Sequence, residues 1–312
     1  MRFSTAIALV IAFLLTSSSG AESGSSATGR RLDVAYRTFN GNGTRSQIFL
    51  ASADGKVRVR LEPARPWVSA PAWRDRATLV YVTAGSTSDD PVQLVELRVT
   101  RDGRTISRRT VATQCADRLT FARNGRYACR DGFDEPRIHV LSPKGVDLVV
   151  LHDEGIGDST KSYPALSPDG RHLAYSENGS LARHNVDSNK RERLRNDIRI
   201  VVSPAWSPDG KRIAFAKTCA GGEAELDESR PSCGLWIANA DGTGVRKIFG
   251  WGKNPAWSAD GRRLVFDGIQ PRHKQRAVYT IRTDGTGLVR VSPWAGTAAS
   301  FYDELGQQWR PR

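Results

Sequence analysis

The chain reads as an all-β protein, a six-bladed β-propeller made of four-stranded antiparallel blades. Three observations predict this fold. First, the unit Pro164-Ala-Leu-Ser-Pro-Asp-Gly-Arg-His-Leu-Ala-Tyr175 returns as Pro204-Ala-Trp-Ser-Pro-Asp-Gly-Lys-Arg-Ile-Ala-Phe215 and as Pro255-Ala-Trp-Ser-Ala-Asp-Gly-Arg-Arg-Leu-Val-Phe266. Self-similarity of this kind marks a repeat architecture. Second, alternating segments that end in Asp-Gly recur at Gln47–Gly55, Leu235–Gly244 and Val278–Gly287. Third, the anchor residues of the first unit are Trp73, Phe121, Leu166, Trp206, Trp257 and Trp309, separated by 48, 45, 40, 51 and 52 residues. A blade of four strands has a period of about 40 to 50 residues.

Each first unit is a strand, a turn and a strand. Proline opens the segment, at the start of a strand where a missing N–H costs least. Ser-Pro-Asp-Gly then puts Ser, Pro and Gly at the first, second and fourth positions of a type I turn. The turn residues are Asp169 and Gly170, Asp209 and Gly210, and Asp260 and Gly261. The apolar residues behind each turn form the second strand. The Asp-Gly segments are the outer hairpins, because glycine accepts the positive φ that such turns require.

From the N-terminus, residues 1–21 predict a cleavable export signal. Arg2 is its positive start, Ala6 to Leu15 its apolar core, and Ser19-Gly20-Ala21 its cleavage site. That core is too short to span a bilayer, and no cysteine follows it to carry a lipid. Residues 22–30, rich in Ser and Gly, predict a flexible linker. Residues 31–312 are expected to form one propeller domain. Leu32 to Tyr36, Gln47 to Ala51 and Val57 to Leu61 supply three strands of the first blade, and the lone strand at Trp309 supplies its fourth. Pairing the two ends in this way closes the ring and leaves no open edge at the join. The second blade runs from Pro71 to Thr110, the third from Cys115 to Leu151 and the fourth from Pro164 to Leu194. The fifth runs from Pro204 to Phe249 and the sixth from Pro255 to Ser292.

Four cysteines in an exported chain are expected to pair. Of the three connectivities, Cys115 with Cys129 and Cys219 with Cys233 each bracket a predicted hairpin, against the alternative of buried free thiols. The chain carries a net charge of +13, or +12 without Arg2. That excess suits an anionic partner, such as a wall polymer, or solvated edge strands that resist aggregation. Nucleic acid fits the charge but not the exported compartment.

The paired Pro-Ala-Trp-Ser-Pro-Asp-Gly and Leu-Trp-Ile-Ala-Asn-Ala-Asp-Gly-Thr-Gly units resemble the TolB-type propeller repeat, clearly in blades four to six and degenerately elsewhere. The resemblance implies a periplasmic propeller that binds a partner. TolB itself carries an N-terminal α/β domain, in whose place this chain has only the linker.

Catalytic signals are weak by comparison. The turn aspartates are explained by the turn, and the anchor tryptophans by packing between blades. The histidines, His139, His152, His172, His184 and His273, lack the spacing of a zinc motif. No Gly-x-Ser-x-Gly elbow is present. The acidic insertion between Cys219 and Cys233 lacks the ligand spacing of a calcium loop. The expected function is therefore an exported, non-catalytic binding or scaffold module, monomeric, without cofactor or catalytic residues, contacting an envelope protein or an anionic polymer. The alternative is a metal-dependent polysaccharide lyase or hydrolase acting at the propeller centre, as in pectin-degrading lyases with a similar repeat.

Overall fold

Alternating apolar residues cut by turns every few positions leave this chain one economical arrangement: short antiparallel strands that bury both faces against neighbouring sheets. The computed structural model describes residues 31–39, 45–63, 65, 67–84, 92–131, 137–152, 161–196, 198–199, 201–217, 233–270, 275–293 and 308–311. The segments predicted as signal and linker lie outside them. Among the described residues there are strands and turns but no helix, and so none long and apolar enough to cross a membrane.

The strands form six antiparallel sheets. The first holds β1 (Val34–Phe39), β2 (Ser46–Ala51) and β3 (Arg58–Arg60). The second holds β4 (Trp67–Val68), β5 (Ala72–Trp73), β6 (Thr78–Ala84), β7 (Gln93–Val99) and β8 (Thr105–Ala112). The third is β9 (Asp117–Phe121), β10 (Tyr127–Arg130), β11 (Ile138–Leu141) and β12 (Asp147–Leu151). The fourth is β13 (Lys161–Leu166), β14 (His172–Glu177), β15 (Ser180–Asn185) and β16 (Lys190–Glu192). The fifth is β17 (Val201–Trp206), β18 (Arg212–Lys217), β19 (Gly234–Asn239) and β20 (Arg246–Phe249). The sixth is β21 (Lys253–Trp257), β22 (Arg263–Gln270), β23 (Gln275–Arg282) and β24 (Val289–Arg290).

A last strand, β25 (Gln308–Trp309), completes the first sheet by pairing with β1, Trp309 opposite Val34 and Gln308 opposite Ala35. The inner strands touch in the order β25, β5, β9, β13, β17, β21 and back to β25, so the ring is closed. The buried apolar side chains form one cluster at each junction between neighbouring blades. The junction of blades 5 and 6, for example, packs Leu235 and Ile237 against Trp257, Phe266 and Tyr279. Burial that lies between blades ties the stability of each one to its neighbours.

Two details depart from the sequence reading, and both concern proline. The inner strands of blades 4 to 6 begin upstream of their proline, so Pro164, Pro204 and Pro255 sit inside a strand. The register slips at each of them, between Ser162 and Ala165, Val202 and Ala205, and Lys253 and Ala256. A bulge lifts one residue out of the ladder, which is where a residue without an N–H can stand. In blade 2 the same strain breaks the inner strand into β4 and β5 on either side of Pro71, giving that sheet five strands.

Cys115 and Cys129 are joined in blade 3. Cys233 is also disulfide-bonded; Cys219, the partner expected from the sequence, lies outside the described residues.

Candidate functional site

The inner strands line a central cavity of about 670 Å3 to which all six blades contribute. Its shape follows from the repeat, because each copy of Pro-Ala-Trp/Leu-Ser-Pro runs along the channel wall. The turns Arg74-Asp75-Arg76, Arg123, Pro168, Pro208 and Ala259 surround one mouth. The charged residues among the described lining are four arginines, Arg74, Arg76, Arg118 and Arg123, against one carboxylate, Asp75.

The anchor residues do not share one environment. Trp73, Leu166 and Trp257 are buried, whereas Phe121, Trp206 and Trp309 are only partly so. Two of the indoles also clasp the preceding blade. The Nε1 of Trp206 donates to the Ala165 carbonyl at 3.0 Å, and that of Trp257 to the Ala205 carbonyl at 2.9 Å. Cations cover two of the rings: Arg212 stands 4.6 Å over Trp257 and Arg310 4.3 Å over Trp73. Such stacking is worth about 0.5 to 1 kcal/mol where exposed and more where dry.

The Ser-Pro-Asp-Gly turns at the mouth are built alike. The Ser167 hydroxyl donates to Asp169, Asp169 accepts from the Arg171 N–H, and His172 N–H donates back to the Ser167 oxygen. Ser207 with Asp209 and Ser258 with Asp260 repeat this arrangement bond for bond, and Ser52 with Asp54 does so in an outer hairpin. Partial burial alone would raise the pKa of Asp169 and Asp209. The serine hydroxyl, the backbone N–H and the neighbouring cations reverse that and hold both below the usual carboxylate range. A carboxyl whose pKa is depressed by folding stabilises the protein above its unfolded value, near 3.9, and loses that contribution as pH falls through the folded value. Thermal unfolding followed from pH 7 to pH 3 should therefore show Tm level above about pH 5 and falling below about pH 4. The Asp209→Asn variant should start lower at pH 7 and fall less steeply in acid. An acid slope unchanged by that substitution would remove the turn from the explanation.

At the far end of the channel, the residue before each framed proline, or its equivalent, adopts a left-handed backbone: Arg118 (φ 59°), Tyr163 (57°), Ser203 (52°) and Asn254 (53°). Non-glycine residues pay about 1 to 3 kcal/mol there, and such strain gathers where a side chain must be aimed. Here the bulge turns four side chains into the channel lining. Arg118 lies 4.3 Å over the Tyr163 ring. The Ser203 hydroxyl donates to the Asn254 amide oxygen, and the Asn254 amide donates to Asp267 at 2.8 Å. Asp267, fully buried on β22, is ion-paired with buried Arg276 at 3.2 Å. Sequence reading passed over this chain of polar groups. Its one visible signal was a lone Asp inside an otherwise apolar strand, Leu264-Val-Phe-Asp267.

Among the described residues the histidines do not converge on one metal site. His139 sits on β11, its two ring nitrogens facing Asp131 and Asp147 at 2.9 Å each. His172 faces Glu192 and His184 faces Asn189, both in blade 4. His273 lies outside the described residues. Among the described residues no three His, Cys, Asp or Glu side chains are grouped to hold a metal ion.

No family model matches the chain, and no curated protein matches it. Solved structures do. TolB from Acinetobacter baumannii superposes with a TM-score of 0.66 at 16% identity, over 89% of this chain and 66% of the other. A structure assigned as TolB from Agrobacterium tumefaciens gives 0.56 at 17% identity, over 86% of this chain and 92% of the other. The chain thus has the propeller fold of the TolB structures, and it spans just under two thirds of the length of the first.

Proposed function

We propose that this chain is an exported, non-catalytic binding module that receives an anionic, extended segment of a cell-envelope protein along its central channel. One observation carries the reading: a cavity of about 670 Å3, formed by all six blades, whose charged lining is four arginines and one carboxylate, with Arg74 also paired to Glu96. Pockets of this size serve ligands generally, and a cleft of one sign concentrates partners of the other. Asp75, whose carboxylate accepts from the N–H groups of Ala77 and Thr78, offsets one of these cations.

The likeness to TolB structures supports a partner-binding role. Export is supported by the disulfide chemistry, since paired cysteines persist in oxidising compartments, and by the signal-like residues 1–21.

The test is a cross-linking pull-down from the protein's own cell envelope at low and high salt, comparing the wild type with the double variant Arg76→Glu/Arg118→Glu. A discrete protein captured by the wild type and at least tenfold less by the variant is the expected outcome. Equal capture by both would move the interface off the channel. Capture of wall polymer alone, lost in high salt, would replace the protein partner by a polyanion.

A further inference from the structure

We propose that a second cavity, between blades 4 and 5, is a saccharide-binding site that takes one neutral pyranose unit of a glycan. It goes beyond the channel reading and does not depend on it.

The cavity exists because one repeat position departs from its neighbours. At the blade 3–4 junction the Arg126 guanidinium crosses to the Gly170 carbonyl at 3.0 Å, and at the blade 5–6 junction Arg212 crosses to the Gly261 carbonyl at 3.2 Å. The space beside both glycines is occupied, by Asn124 at the first and by Arg212 at the second. A methyl group placed on Gly170 would meet the Asn124 amide at 2.6 Å, and one on Gly261 the Arg212 guanidinium at 3.4 Å. Between blades 4 and 5 the position of Arg212 is held by His172, which turns to Glu192 at 3.0 Å instead of crossing. A methyl group on Gly210 would meet nothing nearer than Pro168 at 3.9 Å. The result is a cavity of about 590 Å3, floored by His172 and Trp206 and rimmed by Arg123, whose guanidinium reaches the Pro208 carbonyl at 2.7 Å. That volume falls within the range of small-molecule sites, roughly 300 to 1,000 Å3.

The lining selects the ligand class. Two arginines, Arg123 and Arg183, stand against two aspartates, Asp169 and Asp209, and Glu192 pairs with Arg183 at 2.6 Å while also facing His172 at 3.0 Å. There is no surplus cation to hold a phosphate or sulfate. What the walls offer is donors and acceptors in one place: guanidinium N–H groups, carboxylate oxygens and the Gly210 carbonyl. Beside them stands an indole that is only partly buried, unlike those of Trp73 and Trp257. A pyranose ring presents the complement, with hydroxyls that both donate and accept around its edge and a C–H face that packs on an aromatic ring.

The natural test is to put back the side chain that neighbouring blades use. In His172→Arg, the new guanidinium should reach Gly210 and fill the cavity as Arg212 does at Gly261, with Tm unchanged or raised. Wild type and variant would be screened on an array of neutral, N-acetylated, carboxylated and sulfated oligosaccharides, and the best hit titrated as a free sugar by calorimetry. The expected result is a neutral or N-acetylated sugar bound by the wild type and at least tenfold more weakly by the variant. A second variant, Arg123→Met, keeps the apolar stem but removes the rim donors and should also weaken binding, so the test stands if His172→Arg folds poorly. The channel variant Arg76→Glu/Arg118→Glu should bind the sugar as the wild type does. No sugar bound by the wild type, undiminished binding in both cavity variants, or binding confined to carboxylated and sulfated probes would each overturn the proposal.

Discussion

Replacing Arg276 by alanine is expected to cost about 3 to 5 kcal/mol, because removing one partner of a buried ion pair strands the other's charge in a place it cannot be hydrated. Asp267 is fully buried and Arg276 is 4% exposed, so neither charge is screened by water. Asp267 would then face the Asn254 amide without the guanidinium that now opposes it. The loss is a large part of the roughly 5 to 15 kcal/mol by which domains are stable. Urea unfolding followed by tryptophan fluorescence would measure it as a lower midpoint at unchanged slope. The double variant Asp267→Asn/Arg276→Met separates charge from packing. Asparagine still accepts the Asn254 hydrogen bond, and methionine fills part of the space with no charge to satisfy, so most of the stability should return. A double variant as unstable as Arg276→Ala would mean that the pair acts through its shape.

The fold was legible because a repeat repeats its own evidence. Ser167-Pro-Asp-Gly170 alone is a turn; the same turn at Ser207 and Ser258, each followed by strand residues, fixes strand order and blade number together. What could not be read was the part that does not repeat in composition. Arg118, Tyr163, Ser203 and Asn254 share a backbone state but no side-chain chemistry, so no motif joins them. Their equivalence appears only once the bulge in each inner strand is seen. Proline was expected to open its strand, since a lost N–H is cheapest there. Longer inner strands bring more of each blade into the ladder, and a bulge at the proline provides that length without an unsatisfied donor. His172 is a similar case: in the sequence it is one histidine among five, and only its place opposite Gly210, where other blades send an arginine, gives it meaning.

Deleting residues 308–312 should abolish cooperative unfolding, a larger effect than the loss of any one contact. These few residues connect three blades. The backbone of Arg310 donates to the Asp33 carbonyl at 2.6 Å, and its guanidinium donates to the Thr100 carbonyl of blade 2 at 3.0 Å while covering Trp73. Trp309 packs against the cluster that holds Val34 and Tyr36 of blade 1 and Ala256 and Val265 of blade 6. Trp309→Ala alone should cost about 3 kcal/mol, the lower end for a large aromatic because the ring is partly exposed. Deletion adds the loss of the β1 pairing and uncovers β1 as an inner edge, so blades 1, 2 and 6 lose the contacts that make them unfold with the rest. In a closed ring each blade has two neighbours; opened at one point, the ring becomes an array whose ends can fray. Scanning calorimetry of the truncated chain should show a broad, low-enthalpy transition, accompanied by binding of an apolar dye at temperatures where the full chain binds none. A truncated chain that melts in one sharp transition at the same temperature would show that the blades hold the ring closed without β25.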